Sequence, residues 1–248
     1  MKRRLRIGTV TLVALLTVGS AHLAASPSAQ HPWSPVAFRP SVDQDPTATS
    51  APGEALDRLK RLGATAIGQR LDSLGALRGS LTRAIGVSDT DRAALLDDIA
   101  ATVAGLEAVR TAIAAGTTFR TVSDAVANIV DGYRAYSVLV PKVHLVIGAG
   151  LVDQAADVLD DANAQLVSLV DDEAARELLA TSSAAVARAR AAVAALASSV
   201  LDLDATGWPG NEVALDDGKR ALVSARSDLG DALGSTAEVA SSVEIATG

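Results

Sequence analysis

The sequence contains no cysteine. That excludes disulfide stapling, thiolate zinc sites and attachment of a lipid to a cysteine behind an export signal. Aromatic residues are almost as scarce, with two Phe, two Tyr and two Trp in 248 residues. Strand-rich folds draw on aromatic and β-branched side chains in alternation, and little of that pattern occurs here. Proline is nearly confined to one stretch, six of the eight falling between Ser26 and Gly53. No basic stripe runs along the chain, so a nucleic-acid partner is not expected. No glycine-rich phosphate loop, His-Glu-x-x-His or Gly-x-Ser-x-Gly motif is present. Gly148-Ala149-Gly150 follows an apolar run, but it lacks the third glycine and the sheet context of a dinucleotide site and reads as a flexible joint.

What is present is alanine, valine and leucine. The chain is 49% hydrophobic and 21% charged, a globular composition. Ala and Leu lose little side-chain entropy in a helix, and the expected fold class is all-α. At the N-terminus, Lys2, Arg3, Arg4 and Arg6 precede an apolar run from Ile7 to Val18 and then small residues. This layout predicts a secretory signal peptide over 1–25, cleaved between Ala21 and Ala29, with an uncleaved anchor as the alternative. The apolar run, about 12 residues, is short for a membrane span. A secreted or envelope-associated protein with no transmembrane helix after cleavage is the expectation. Removing the signal leaves 18 basic against 29 acidic residues. Residues 26–53, rich in Pro, Ser, Thr and Gln, read as an extended linker that cannot bury enough surface to offset its ordering entropy. Residues 54–248 form the helical domain, and any subdivision would fall near 141–150.

Within that domain the apolar spacing predicts a first helix over Glu54–Ile85, with a seam at Ile67, Leu71, Leu74, Leu81 and Ile85. Gly86-Val87-Ser88 breaks it, and Ser88 is placed to cap a second helix carrying Leu96, Ile99, Val103, Leu106, Val109 and Ile113 up to Gly116. The longest seam comes next. Phe119, Val122, Val126, Ile129, Tyr133, Tyr136, Val140, Val143 and Ile147 alternate steps of three and four, continued by Leu151, Ala155, Val158, Ala162, Leu166 and Leu169. Such a 3.5-residue period belongs to helices packed as in coiled coils. A further helix carries Leu179, Ser182, Val186, Ala189, Val193, Leu196, Val200 and Leu203. Gly207, Pro209 and Gly210 break the chain before Asn211, the expected cap of the last helix. That helix has sevenfold lines at Leu215, Leu222, Leu229, Val243 and at Gly218, Ala225, Ala232, Val239.

These elements predict an antiparallel bundle of five or six long helices. In one version two three-helix bundles share the segment 118–170 as a kinked central helix. In the other, the chain folds back at Pro141 or Gly148-Ala149-Gly150 into a single compact bundle. Pro141 in mid-helix removes a hydrogen bond at about 3 kcal/mol, which packing has to offset. The apolar residues around it predict the most buried element of the protein. A membrane span is not expected there, because Lys142 inside it would cost roughly 2.5–3.5 kcal/mol.

Tyr133-Arg134-Ala135-Tyr136, followed by Val140-Pro141-Lys142-Val143-His144-Leu145, resembles the core of a family of exported, alanine-rich helical proteins from high-GC Gram-positive (actinobacterial) bacteria. Trp208-Pro209-Gly210-Asn211 is similar to a loop before that family's last helix. The likeness covers most of residues 54–240. It implies export and a helical body and supplies no activity, cofactor or site residue. The last helix departs from the family's arginine-rich one, carrying Asp216, Asp217, Asp228 and Asp231, so a charge-dependent partner does not carry over.

No catalytic, metal-binding or cofactor-binding residue is expected. Tyr133, Tyr136, Pro141, Lys142 and His144 are the candidate ligand or partner region. His144, the one histidine of the folded body, is expected to be a hydrogen-bonded core residue, and the two tyrosines to pack with their hydroxyls bonded. The acidic groups Asp97-Asp98, Asp153/Asp157/Asp160/Asp161, Asp171-Asp172-Glu173 and Asp216-Asp217 are expected on solvated faces, without a calcium-loop pattern. The functional expectation is a non-enzymatic binding or spacing module at the cell envelope. Its partner would be an envelope protein or polymer, and weak self-association stays open. The alternatives are a carrier of an apolar ligand or lipid near Tyr136, Pro141 and His144, and an envelope hydrolase using His144 or paired aspartates.

Overall fold

A computed structural model describes residues 52–247. The expected signal peptide and all but the end of the proline-rich stretch lie outside the described residues. The chain divides into two compact units, Met1–Arg58 and Leu59–Gly248, and the second carries the helix packing.

The described residues form α1 (Pro52–Arg83), α2 (Asp89–Ala115), α3 (Phe119–Val167), α4 (Glu173–Val193), short α5 (Leu196–Leu201), a 3-10 turn (Ala205–Gly207) and α6 (Asn211–Thr247). No strand occurs among them, and the fold is an all-α bundle. Local chemistry sets the ends. Ser88 accepts from the Asp91 backbone N–H to cap α2, and Thr118 and Thr121 form a reciprocal capping box on α3. Asp172, expected only to be solvated, caps α4 through the Ala175 N–H. Arg92 closes the other end of α1 by donating to the carbonyls of Leu81, Thr82, Ala84 and Val87, where the helix leaves its last acceptors unpaired.

α3 runs unbroken for 49 residues through Pro141, about 74 Å at 1.5 Å per residue. The fold-back at Pro141 or Gly148–Gly150 therefore does not occur. Gly148 and Gly150 are not a joint but close-packing positions. A Cβ on Gly148 would lie 2.6 Å from Leu222 Cδ1, and one on Gly150 would lie 2.6 Å from the Gly86 backbone. Gly86 itself turns with φ of +77°, a conformation only glycine adopts without strain.

Burial resolves α3 into two seams. The first is Val122, Ala125, Ile129, Tyr136, Leu139, Val143, Val146 and Gly150; the second is Val138, Lys142, Leu145, Ala149, Val152, Ala156, Leu159, Asn163 and Leu166. Both repeat every seven residues. At roughly 100° per residue the centres of the two seams, where they overlap, lie about 100–120° apart around the helix, with Leu139 and Lys142, three residues apart, on their shared border. The segment 136–152, where both faces are covered, is the densest stretch of burial in the helix, as the apolar run predicts. The single seam expected from spacing holds at Val122, Ile129, Tyr136 and Val143. Past Gly150 it is displaced by one residue, since Val152, Ala156, Leu159 and Asn163 are buried in place of Leu151, Ala155, Val158 and Ala162, and it is met again at Leu166, which is buried as expected. Phe119, at its start, is 57% exposed, and Leu169, at its end, is exposed too. The reason is a change of partners along the helix.

The first seam faces α1 and α2. Gly63 packs on Ile113 and Val126, and the Tyr136 hydroxyl donates to the Arg70 carbonyl at 3.0 Å. The pairs Gly63–Val126, Arg70–Tyr136 and Gly86–Gly150 advance together, so α1 runs parallel to α3 with α2 antiparallel between them. The core here is aliphatic: Ile67, Leu74, Leu81, Leu95, Ile99, Leu106 and Ile113 are buried. Leu95 takes the place expected for Leu96, and Ile85 is exposed.

The second seam faces α4 and α6. Ser182 meets Asn163 and Arg190 meets Asp157, which sets α4 antiparallel to α3. Gly148–Leu222 and Asn163–Thr236 set α6 parallel to it. Both lines expected on α6 are buried from Leu215 to Val239, with small Gly218, Ala225 and Ala232 at close approaches. The helix expected up to Leu203 is interrupted at Ala194–Ala195, although its seam continues through Leu196 and Val200. No breaker marks the interruption; short α5 packs on α3, α6 and α2. Asn211 is the first residue of α6 rather than the residue before it, and its side chain donates to the Asp204 carbonyl.

Two described stretches, Tyr136–Val167 and Glu173–Leu201, are long and apolar enough to cross a membrane. Here both supply core: Lys142, Asn163 and Ser182 lie within the buried layers of these same stretches.

Candidate functional site

The two seams of α3 overlap around Lys142, and the polar chemistry of the overlap centres on it. Its side chain is 5% exposed, and Nζ donates to Asp98 Oδ2 on α2 at 2.7 Å and to the Leu203 carbonyl at 3.2 Å. A lysine in an apolar layer is costly unless paired and hydrogen-bonded, and these two partners meet that need. Asp98, expected as part of a solvated face, supplies the charge while its own side chain stays 47% exposed.

Beside this pair lies an open cleft of about 270 Å³, lined by Asp98, Ala101, Thr102, Val138, Leu139, Lys142 and residues Leu201 to Ala205. Asp202 and Asp204 add two carboxylates to its rim. The Asp204 carboxylate accepts from the Thr206 hydroxyl and from the Thr206 and Gly207 backbone N–H groups. Those bonds, with the nearby charge of Lys142, hold its pKa below the ordinary carboxylate value. Among the described residues no cluster of three or more His, Asp or Glu side chains is placed to hold a metal ion.

The other candidate residues do not gather around Lys142. Tyr136 lies on the first seam, buried, its hydroxyl engaged by α1. Desolvation by burial raises its pKa, with the Ser73 hydroxyl and the Arg70 charge working the other way. Pro141 is half-buried. His144 is exposed, which corrects the expectation of a core histidine. It stands two residues from Lys142, near the opposite side of the helix, off both seams. The Tyr133 side chain lies outside the described ones.

A second polar cluster was not anticipated as such. Asn163 Nδ2 donates to Ser182 Oγ at 2.9 Å, Ser182 Oγ and Thr236 Oγ1 are 2.9 Å apart, and Thr236 Oγ1 donates to Asn163 Oδ1 at 2.8 Å. The three bonds close a ring through α3, α4 and α6, all of it buried. A signal for it is visible in the sequence. Thr236 fills the gap between Leu229 and Val243 on the sevenfold line of α6, and Asn163 lies three heptads beyond Lys142. Nearby, Arg190 reaches both Asp157 and Asp160, and Arg188 pairs with Asp228 at 2.9 Å. Seven of the acidic residues expected on solvated faces thus hold ion pairs or a cap: Asp98, Asp157, Asp160, Asp172, Glu173, Asp216 and Asp217.

No protein-family model, curated protein or solved structure matches the chain. The resemblance to the exported actinobacterial family rests on the residues quoted for it.

Proposed function

We propose that the chain is a non-enzymatic exported helical module that binds or spaces at the cell envelope, with an envelope protein or polymer as its partner. The observation that supports this reading is the way α3 is used. One unbroken helix is clamped by α1 and α2 along one half and by α4 and α6 along the other, and its buried Lys142 and Asn163 are hydrogen-bonded to the elements that cover them. A helix braced along two of its faces resists bending and suits a spacer. The scarcity of catalytic motifs and the signal-like N-terminus point the same way.

The test is expression of the full chain with a C-terminal tag, followed by cell fractionation and cross-linking in intact cells. Recovery in the envelope fraction with a reproducible cross-linked partner is expected. Retention in the cytoplasm, or release into the medium with no partner, would overturn the proposal. Mass spectrometry of a lipid extract from the purified chain addresses the carrier alternative; a stoichiometric lipid would replace the spacer reading with that one.

A further inference from the structure

We propose that the two ends of α3 are complementary surfaces through which a second copy of this chain docks end to end. Seven large apolar side chains stand exposed among the described residues, and four of them lie at these ends. Phe119, 57% exposed, opens the helix, with Leu62 of α1 at the same end; Val167 and Leu169, 55% and 45% exposed, close it. Gly63 packs on Val126, and Lys60 donates to the Ala114 carbonyl at 3.2 Å. The start of α3, the α1 residues beside it and the close of α2 therefore form one surface. At the other end the core is closed by Leu166, Val170 and Val239, and Val167 and Leu169 stand outside it.

Charge separates the two ends. At the first, Lys60, Arg61 and Arg120 form no ion pair, and within a turn of them the one unpaired acid of the unit Leu59–Gly248 is Asp124. At the second, Asp171, Glu177 and Glu238 are unpaired, Asp172 caps α4, and Arg176 is taken up by Glu173 at 3.3 Å. The chain as a whole carries a formal charge of -7, so copies approaching side by side repel one another. End to end, the basic surface of one copy meets the acidic surface of the next. The same contact covers the exposed apolar side chains of both.

The two surfaces differ, so the contact is heterologous. Each docked copy still offers one free end, and addition continues in line instead of stopping at a dimer. A contact confined to the ends of helices is small and weak by itself, and its electrostatic part strengthens as salt falls. An in-line series extends the spacer reading to several copies but does not rest on it, since neither the envelope nor a partner from it takes part.

Sedimentation velocity of the full chain over a range of concentrations, at about 50 mM and about 500 mM salt, tests the proposal. A ladder of species that grows with concentration and collapses at high salt is expected. Arg61→Glu with Arg120→Glu should abolish it, and so should Asp171→Lys with Glu177→Lys, each with unchanged helical circular dichroism. Mixed in equal amounts the two variants should associate again, because each keeps the end that the other has lost. A monomer at every concentration, a series that stops at a dimer, association that survives both reversals, or a mixture that stays monomeric would overturn the proposal. Vesicles of anionic phosphatidylglycerol test the other occupant of the basic end. Their capture of a chain that does not self-associate, lost in the Arg61, Arg120 variant, would assign that end to a lipid surface instead.

Discussion

The two halves of this protein use the same geometry with different chemistry. Each sets an antiparallel helix between two parallel ones, and each borrows half of α3. The first closes on large aliphatic side chains, Ile67, Leu74, Leu95, Ile99 and Ile113 among them. The second closes on a mixed layer in which Ala185, Ala189, Ala225 and Ala232 bring backbones near and Asn163, Ser182 and Thr236 form a buried ring. Ala surfaces offer little area per residue and few shape constraints, so an alanine-rich interface can slide. A polar ring that closes only when three helices are aligned removes that freedom, as a buried Asn fixes the register of a coiled coil. The aliphatic half needs no such device, because the branched shapes of Ile and Leu interlock.

The largest test of this contrast is truncation on each side. Leu95→Ala in the first bundle and Leu179→Ala in the second should each cost about 2–5 kcal/mol in urea unfolding, both residues being buried. Because α3 belongs to both halves, each variant should still unfold in one transition. Two separated transitions would break the picture of a shared helix. Somewhat smaller is Gly86→Ala. It places a side chain on a backbone at φ of +77° and drives its Cβ into the Gly150 carbonyl. A loss of about 2–3 kcal/mol is expected, and a neutral result would show that the α1–α2 turn does not dock on α3.

The polar ring gives an effect of two signs. Asn163→Ala alone leaves Ser182 and Thr236 with a missing partner in a dry layer and should cost about 1–3 kcal/mol. The triple change Asn163→Leu, Ser182→Ala, Thr236→Val removes all the polar groups together and should be neutral or stabilising. If the ring sets register, amide exchange in α4 and α6 of the triple variant should quicken although stability holds; unchanged protection would assign register to the alanines instead. The smallest effect concerns acid. Asp204 has a lowered pKa, chiefly from the Thr206 hydroxyl bond. Its stabilising share is present above the unfolded-state value of 3.8 and fades as pH falls through the folded value. The melting-temperature difference between wild type and Asp204→Ala should therefore narrow from about pH 5 to about pH 2. A gap that widens in acid would contradict the sign.

Much of the architecture was legible residue by residue. Ser88 as a cap, the seams of α1 and α6 and the long central segment come from spacing and capping chemistry alone. The candidate site was legible only in part. Lys142 belongs in it, but spacing could not pair it with Asp98, 44 positions away in the chain, and it read Asp98 as solvated. His144 looked like a core residue because its neighbours are apolar, yet it falls on the face that neither seam covers and emerges at the surface. The second seam was missed for the same reason. A periodic pattern read along one helix shows that an apolar stripe exists, and when partners cover neighbouring faces the two stripes blur into one broad run.

The sequence by itself determined that the chain is helical, where most helices begin and end, and that the middle of α3 is deeply packed. Those outcomes depend on propensity, capping and period, all local in the chain. Tertiary structure decided that α3 stays whole through Pro141 and Gly148–Gly150, that its buried face shifts to a neighbouring face along its length, and that a lysine is paired inside the overlap. These depend on which surfaces cover a helix from without. Close contacts at Gly86, Gly150 and Leu222 supply packing that holds the helix where its own residues would permit a break.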